Sequence, residues 1–264
     1  MKLNTLGPEE AICNICGIFS RMTKDHIPPK GVPLVGQAYL ERLTDTLGAD
    51  RSARSPKLFQ RGIHYRTICE ICNSKILGSE YDPVLVNFCK ELHSALGKKV
   101  HLPISAPVKI NRLIRAFVGH LIAHRLGSHR TGKLYSEITD YFINKTTAFP
   151  SNLRAYCWVY PYKSQVIAHG IGSIFDHRQP SSSGVFSLMK FYPLGFLCSI
   201  NDLPEKEASQ LTRIDHLTTN SIDDLADINL NISYIPHGRW PEAPGENGAV
   251  FHNASGTSAS PVQT

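Results

Sequence analysis

Two Cys-x2-Cys pairs, Cys13-Asn-Ile-Cys16 and Cys69-Glu-Ile-Cys72, constrain this chain more than any other feature of its sequence. A Cys-x2-Cys turn points both sulfurs at one centre. Two such turns complete a tetrahedral set of four thiolates, the ligand set of structural Zn2+. Four protein ligands leave no position open to substrate, so an ion held this way staples the chain and does not react. The segment between the pairs needs a staple. Its first part, DHIPPKGVPLVG, is rich in Pro and Gly, which favour an extended or turning chain over helix. A later part, ADRSARSPKLFQRG, reads as an exposed Arg-rich loop. The remaining cysteines, Cys89, Cys157 and Cys198, are scattered and read as small core residues.

Beyond Cys72 the pattern becomes helical. NSKILGSEYDPVLVNFCKELHSALG reads as helix interrupted near Gly78 and Pro83. In VKINRLIRAFVGHLIAHRLG, Ile110, Leu113, Ile114, Phe117, Val118, Leu121 and Ile122 recur at three- and four-residue steps, with Gly127 as the stop. A shorter helix is expected over Lys133 to Asn144. The texture then changes. AYCWVYPYKSQVIAHGIGSIF and GVFSLMKFYPLGFLCSI are rich in aromatic and β-branched residues, broken by Gly and Pro, and predict antiparallel strands separated by a QPSSSG loop. The small, polar end of the chain is expected to be disordered. The predicted architecture is therefore α+β: a zinc-stapled module over 1–98, a helical and antiparallel β-rich accessory domain over 99–250, and a tail over 251–264.

With 28 basic and 22 acidic residues the chain has a net charge of +6, and its distribution is uneven. From Lys98 to Lys133 there is no Asp or Glu, while the part after Ser199 is acidic. Such asymmetry suits a face laid against a polyanion, although a solvated helix face gives the same pattern. Within it, Arg112 and Arg115 are candidates for phosphate contact. His120 and His124 have the His-x3-His spacing of a metal pair, but no third ligand is evident and they adjoin the apolar stripe, so they read as core histidines. The run Tyr156-Cys157-Trp158-Val159-Tyr160 could stack bases, yet reads more simply as the core of a sheet. No run of about 18 apolar residues is present, so no membrane span is expected. The N-terminus lacks the apolar stretch of a signal peptide, and a cytoplasmic location follows, where cysteines more often bind metal than form disulfides.

Between the cysteine pairs lies Thr23-Lys24-Asp25-His26-Ile27-Pro28-Pro29, and Asn73 directly follows Cys72. With these residues in this order, CNIC…KDHIPPKG…CEICNSK resembles an HNH endonuclease with the four-cysteine variant of the ββα-metal fold, over about residues 11–82. The resemblance implies that His26 is the general base, that Asp25 and Asn73 hold a catalytic Mg2+ or Mn2+, and that the zinc is structural. The family's middle Asn, about five residues before the third cysteine, is replaced by His64, and the stretch from Tyr39 to Gly62 is an insertion. Arg66 and Lys75 flank this centre and are further candidates for phosphate contact. A nuclease acting on DNA is the function expected, with restriction or phage defence as its family-level setting and the β-rich part as a site for target or protein partner. A non-catalytic zinc-ribbon module that binds nucleic acid or protein is the alternative, and a toxin-like nuclease acting on RNA a third.

Overall fold

A computed structural model describes residues 4–34, 36–48, 56–98, 103–125, 132–179, 181–232, 235–243, 247–252 and 256–262. From the N-terminus, β1 (Glu10–Ile12) and β2 (Phe19–His26) form a hairpin around the first cysteine pair. β3 (Ala38–Arg42), a short helix α1 (Leu43–Leu47) and β4 (Lys57–Phe59) follow. β5 (His64–Cys69) then runs into a π-helix (Ile71–Tyr81) that continues as α2 (Asp82–Gly97). β6 (Ile104–Lys109) leads into α3 (Ile110–His124), and α4 (Lys133–Ile143) closes the helical middle. The rest is β7 (Leu153–Val159), β8 (Gln165–Ile174), β9 (Ser183–Phe191), β10 (Leu194–Ile200), α5 (Glu205–Ala208), β11 (Thr212–Arg213), β12 (Leu225–Leu230), β13 (Ala249–Phe251) and β14 (Thr257–Pro261).

The strands assemble into three antiparallel sheets. β1, β2 and β5 make a small one, and β6 pairs with β12. The large sheet runs β11-β7-β10-β9-β8-β14-β3-β4, with β13 also on β8. The α+β class expected from the sequence is therefore what the chain forms. Strand β7, LRAYCWV, is buried at nearly every position, as a run that is aromatic and β-branched on both faces requires. Tyr156, Trp158 and Tyr160 are all within 3% exposure, so this run is sheet core and offers no open platform for bases.

Helix α3 lies at the centre. Its apolar stripe has the expected period, but the remaining faces are covered too: every residue from Ile110 to His124 except Arg112 is buried. The π-helix, α2 and α4 pack on one side of it, and β5, β8 and β9 on the other. Gly119 makes this approach possible, because a methyl group there would strike the Phe142 ring and stand 2.9 Å from Leu77 Cδ1. The core is continuous from Cys13 and Ile15 through α3 to Ile228 and Leu230.

Several expectations need correction. Gly78 and Pro83 do not interrupt the helix after Cys72: Pro83 sits in the first turn of α2, where a missing N–H costs nothing. The long helix starts at Ile110, after a strand the periodicity did not reveal, and ends at His124; Gly127 lies outside the described residues. The insertion from Tyr39 to Gly62 contains most of β3 and all of α1 and β4. Of its part 49–62, read as an exposed loop, residues 57–59 form β4 in the large sheet, while 49–55 lie outside the described residues. The tail expected to be disordered contains β14, which lies between β3 and β8 in that sheet. Beside it, Lys190 is fully buried and its Nζ donates to both Glu242 carboxylate oxygens (2.7 and 2.8 Å) and to the carbonyls of Gly238 and Trp240.

Because the Gly119 site leaves no room for a side chain, Gly119→Ala is expected to cost about 1–3 kcal/mol through overpacking. Urea denaturation of parent and variant measures it; an unchanged midpoint would show that the α3–α4 contact is not tight.

Candidate metal centre

The hairpin of β1 and β2 and the end of β5 bring the two cysteine pairs together. The four sulfurs of Cys13, Cys16, Cys69 and Cys72 all lie within 4.8 Å of one another, and Cys16 Sγ is 3.8 Å from Cys69 Sγ. A tetrahedral zinc thiolate site with bonds of about 2.3 Å has edges of about 3.8 Å, so the spacing fits such an ion. The local backbone has the shape of a metal knuckle. The Cys13 N–H donates to Ile18 O (3.0 Å), the Gly17 N–H to Cys13 O (3.0 Å), and Gly17 takes φ +72°, a conformation favoured by glycine. Two backbone N–H groups, of Ile15 (3.4 Å) and Cys69 (3.3 Å), point at Cys13 Sγ, the outer bonds that stabilise a thiolate.

Three of the four thiols are shifted from their ordinary values by one another and by burial. A hydrogen bond from Cys72, aided by backbone N–H groups, brings Cys13 down to about 5, and the Cys72 thiol is pushed far up in return. Burial and the neighbouring sulfurs push Cys16 up to about 11. By its spacing the group can bind a metal such as zinc. Cys89, Cys157 and Cys198 are free thiols away from this group, and burial raises the pKa of each.

The knuckle is bound to α3. Asn14, inside the first cysteine turn, donates through Nδ2 to Arg125 O (2.7 Å), and Thr67 Oγ1 donates to Ala123 O (2.5 Å). Two carbonyls at and just past the end of α3, those of Ala123 and Arg125, are therefore satisfied by side chains beside the cysteines.

At the other end of the β2–β5 ladder, His26 and His64 are paired residues with ring centroids 5.4 Å apart. Both are half-buried. Burial, then Lys30, His64 and Lys24, lowers the His26 pKa to about 4. Burial also lowers His64, whose charged neighbours are Lys24, Lys57 and Lys30. Two neutral imidazoles thus stand together in a positive surround.

Asp25 and Asn73 are placed differently from a simple ion clamp. The Asp25 side chain is 3% exposed and its Oδ2 lies 3.0 Å from His120 Nδ1, while His120 Nε2 lies 2.9 Å from Asp82 Oδ1. Burial alone would lower the His120 pKa, but the two carboxylates outweigh it and raise it to about 10. Burial raises that of Asp25 against the pull of His120. Asn73, in the first turn of the π-helix, donates through Nδ2 to Thr23 Oγ1 (2.9 Å). His120 stands between the two carboxylates, and among the described residues only the four cysteines bring three or more His, Cys, Asp or Glu ligand atoms all within 4.8 Å of one another.

The basic candidates are also placed. Arg115 is 0% exposed: its guanidinium lies 3.8 Å from the centre of the Tyr141 ring and donates to the carbonyls of Asn144 (3.1 Å) and Thr147 (3.0 Å). It is a core residue and does not reach a phosphate, because α3 has no wet face there. Arg112 is paired with Asp223 (2.9 Å) and Glu80 (3.4 Å). Arg66 donates to Gly7 O (2.9 Å) and Glu9 (3.0 Å), whereas Lys75 is exposed. Of the basic stretch from Lys98 to Lys133, residues 99–102 and 126–131 lie outside the described residues.

His120 and His124 are core histidines, as their spacing beside the apolar stripe suggested. Sequence reading missed what they hold. His124 shares hydrogen bonds with Thr257 Oγ1 (2.9 Å) and with His169 Nε2 (3.1 Å), and Thr257 in turn with Tyr65 OH (3.1 Å). Among the described residues no helix is long and apolar enough to cross a membrane. No family model, curated protein or solved structure matches this chain.

Two outcomes are expected. Metal analysis of the purified protein should find about one zinc per chain, retained in Cys157→Ser and lost in Cys16→Ser and Cys72→Ser; equal metal in all four proteins would reject the four-sulfur site. His120→Ala should destabilise the fold by about 3–5 kcal/mol, since it strands the buried Asp25 carboxylate, and a second change, Asp25→Asn, should recover part of that loss. Additive losses in chemical denaturation would show that the two side chains are not coupled.

Proposed function

We propose that the protein is an HNH-type nuclease, a metal-dependent hydrolase of phosphodiester bonds acting on DNA, with His26 as general base and the four-cysteine group holding a structural Zn2+. The observation that carries this reading is the neutral His26–His64 pair, set among Lys24, Lys30 and Lys57 at the end of a strand–strand–helix unit clamped by cysteines at its other end. The order β2, β5, π-helix is the order that the HNH resemblance implies.

The chemistry follows from those groups. A phosphodiester is anionic and repels a nucleophile; three lysines offset that charge and position the substrate. A neutral imidazole can take a proton from an attacking water, and His26 is neutral at any pH well above about 4. His64, across the ladder, is a second imidazole able to orient that water or the first ring. A Mg2+ or Mn2+ would be held by Asp25 and by the Asn73 side-chain oxygen, and would supply charge stabilisation at the phosphate. For this Asp25 must offer the oxygen not bonded to His120, and His120 would then fix the orientation of the ligand, as outer partners of metal-bound carboxylates do. Lys75 is the exposed cation available for a further phosphate contact.

A second reading, a non-catalytic zinc module that binds nucleic acid or protein, is favoured by one observation: the Asp25 carboxylate is buried and already bound to an imidazole. Plasmid cleavage in Mg2+, Mn2+ and EDTA separates the two. The parent should nick DNA only with a divalent ion, and His26→Ala should lose about 10²–10⁴-fold in rate while keeping its zinc. Equal cutting by both proteins removes His26 from the mechanism. A parent that cuts neither DNA nor RNA under any ion leaves the binding module.

A further inference from the structure

A second site lies away from the hairpin. Between α3, α4 and the strands β8, β9 and β10 is a cavity of about 440 Å³, within the range of small-molecule pockets. Its walls are mostly apolar, with Val118 and Leu121 from α3, Ile138 from α4 and Phe186 from β9. Polar side chains also line the space, among them Arg125 just past the end of α3, His169 on β8, Ser187 on β9 and Tyr135 on α4.

Arg125 is the unusual member. It is half-buried, and among the described residues no carboxylate pairs with it. Burial lowers its pKa, against a smaller opposing effect of Tyr135. A guanidinium drawn partly out of water without an anion is costly, and an anion brought by a ligand would offset that cost. His169 is 4% exposed and held by its bond to His124, so it is a fixed polar group in the wall. Lys133 stands in the wall as well, almost fully exposed, with Glu137 3.8 Å away. Arg125 and Lys133 are the cationic side chains of the lining, and most of the rest is apolar.

We propose that this cavity binds a small apolar molecule with an anionic head, of the class of a medium-chain carboxylate, whose head group pairs with Arg125 while its tail lies among Val118, Leu121, Ile138 and Phe186. The site is independent of the nuclease reading. It does adjoin the cysteine frame: the carbonyl of Arg125 accepts from Asn14, and the Tyr135 hydroxyl donates to Asn14 O, so both cavity residues are bonded to the first cysteine turn.

Titration calorimetry of the full chain tests it with three probes of equal tail length: decanoate, decanol and decyltrimethylammonium. Decanoate should bind saturably with a Kd below about 1 mM, and decanol and the cationic probe at least about ten-fold more weakly. Arg125→Met should remove the preference for the anion, and Ile138→Trp, which fills the cavity, should weaken all binding. Circular dichroism checks that both variants fold. The probe comparison on the parent needs no variant. No saturable heat from decanoate, equal affinity for the cationic probe, or full decanoate affinity in folded Arg125→Met would each overturn the proposal.

Discussion

A helix covered on all sides needs internal partners for the polar groups it carries, and α3 meets this need for all but Arg115 Nε. Its sequence brings Asn111, Arg115, His120 and His124 into the interior along with the apolar stripe. Each is met from a different quarter. Arg115 is received by the chain after α4, His120 by Asp25 and Asp82, and His124 by Thr257 and His169. The carbonyls of Ala123 and Arg125, at and just past its end, are taken up by Thr67 and Asn14. These bonds define where the hairpin, the π-helix, the sheet and the cysteine frame stand relative to one another. An unmet polar group at this depth costs about 1–3 kcal/mol, so the arrangement has few neighbours of similar energy.

The two ends of the β2–β5 ladder then serve different purposes. One end is closed by sulfur and bound to α3. The other is open, and the imidazoles of His26 and His64 stand there among lysines. At the first end the ladder also carries β1 as a third strand, and Asn14 and Thr67 bond it to α3. The bond from His120 to Asp25 acts on the same strand from the opposite side, one residue before His26.

Much of this was legible in the sequence, and the misses share a cause. The cysteine spacing foretold the four-sulfur group, because a Cys-x2-Cys turn dictates where its sulfurs point. The helix of α3 and the strands β7 to β10 followed from periodicity and from β-branched and aromatic content. Periodicity reports one face of an element, however, and says nothing of how many neighbours cover the others. Arg115 looked like a surface cation for that reason, and the basic stretch looked like a wet face. The strands β3, β4 and β14 were missed because they are short, polar at alternate positions and flanked by Gly, Pro and Ser, and only pairing with distant segments makes them strands. Asp25 was read from its neighbours in sequence, whereas its partner lies on a helix far along the chain.

The place of β14 has a consequence for how the chain assembles. It is inserted between β3 and β8, so residues near 40 and near 167 share a sheet only through residues near 260. During synthesis the early hairpin of β3 and β4 emerges with one edge bare and must remain so until residue 257 has left the ribosome. Such distant pairing is slow and leaves sticky strands exposed in the interval. The Tyr65–Thr257–His124 bonds form at that same late moment, so the interior of α3 becomes complete only when the chain's last strand arrives.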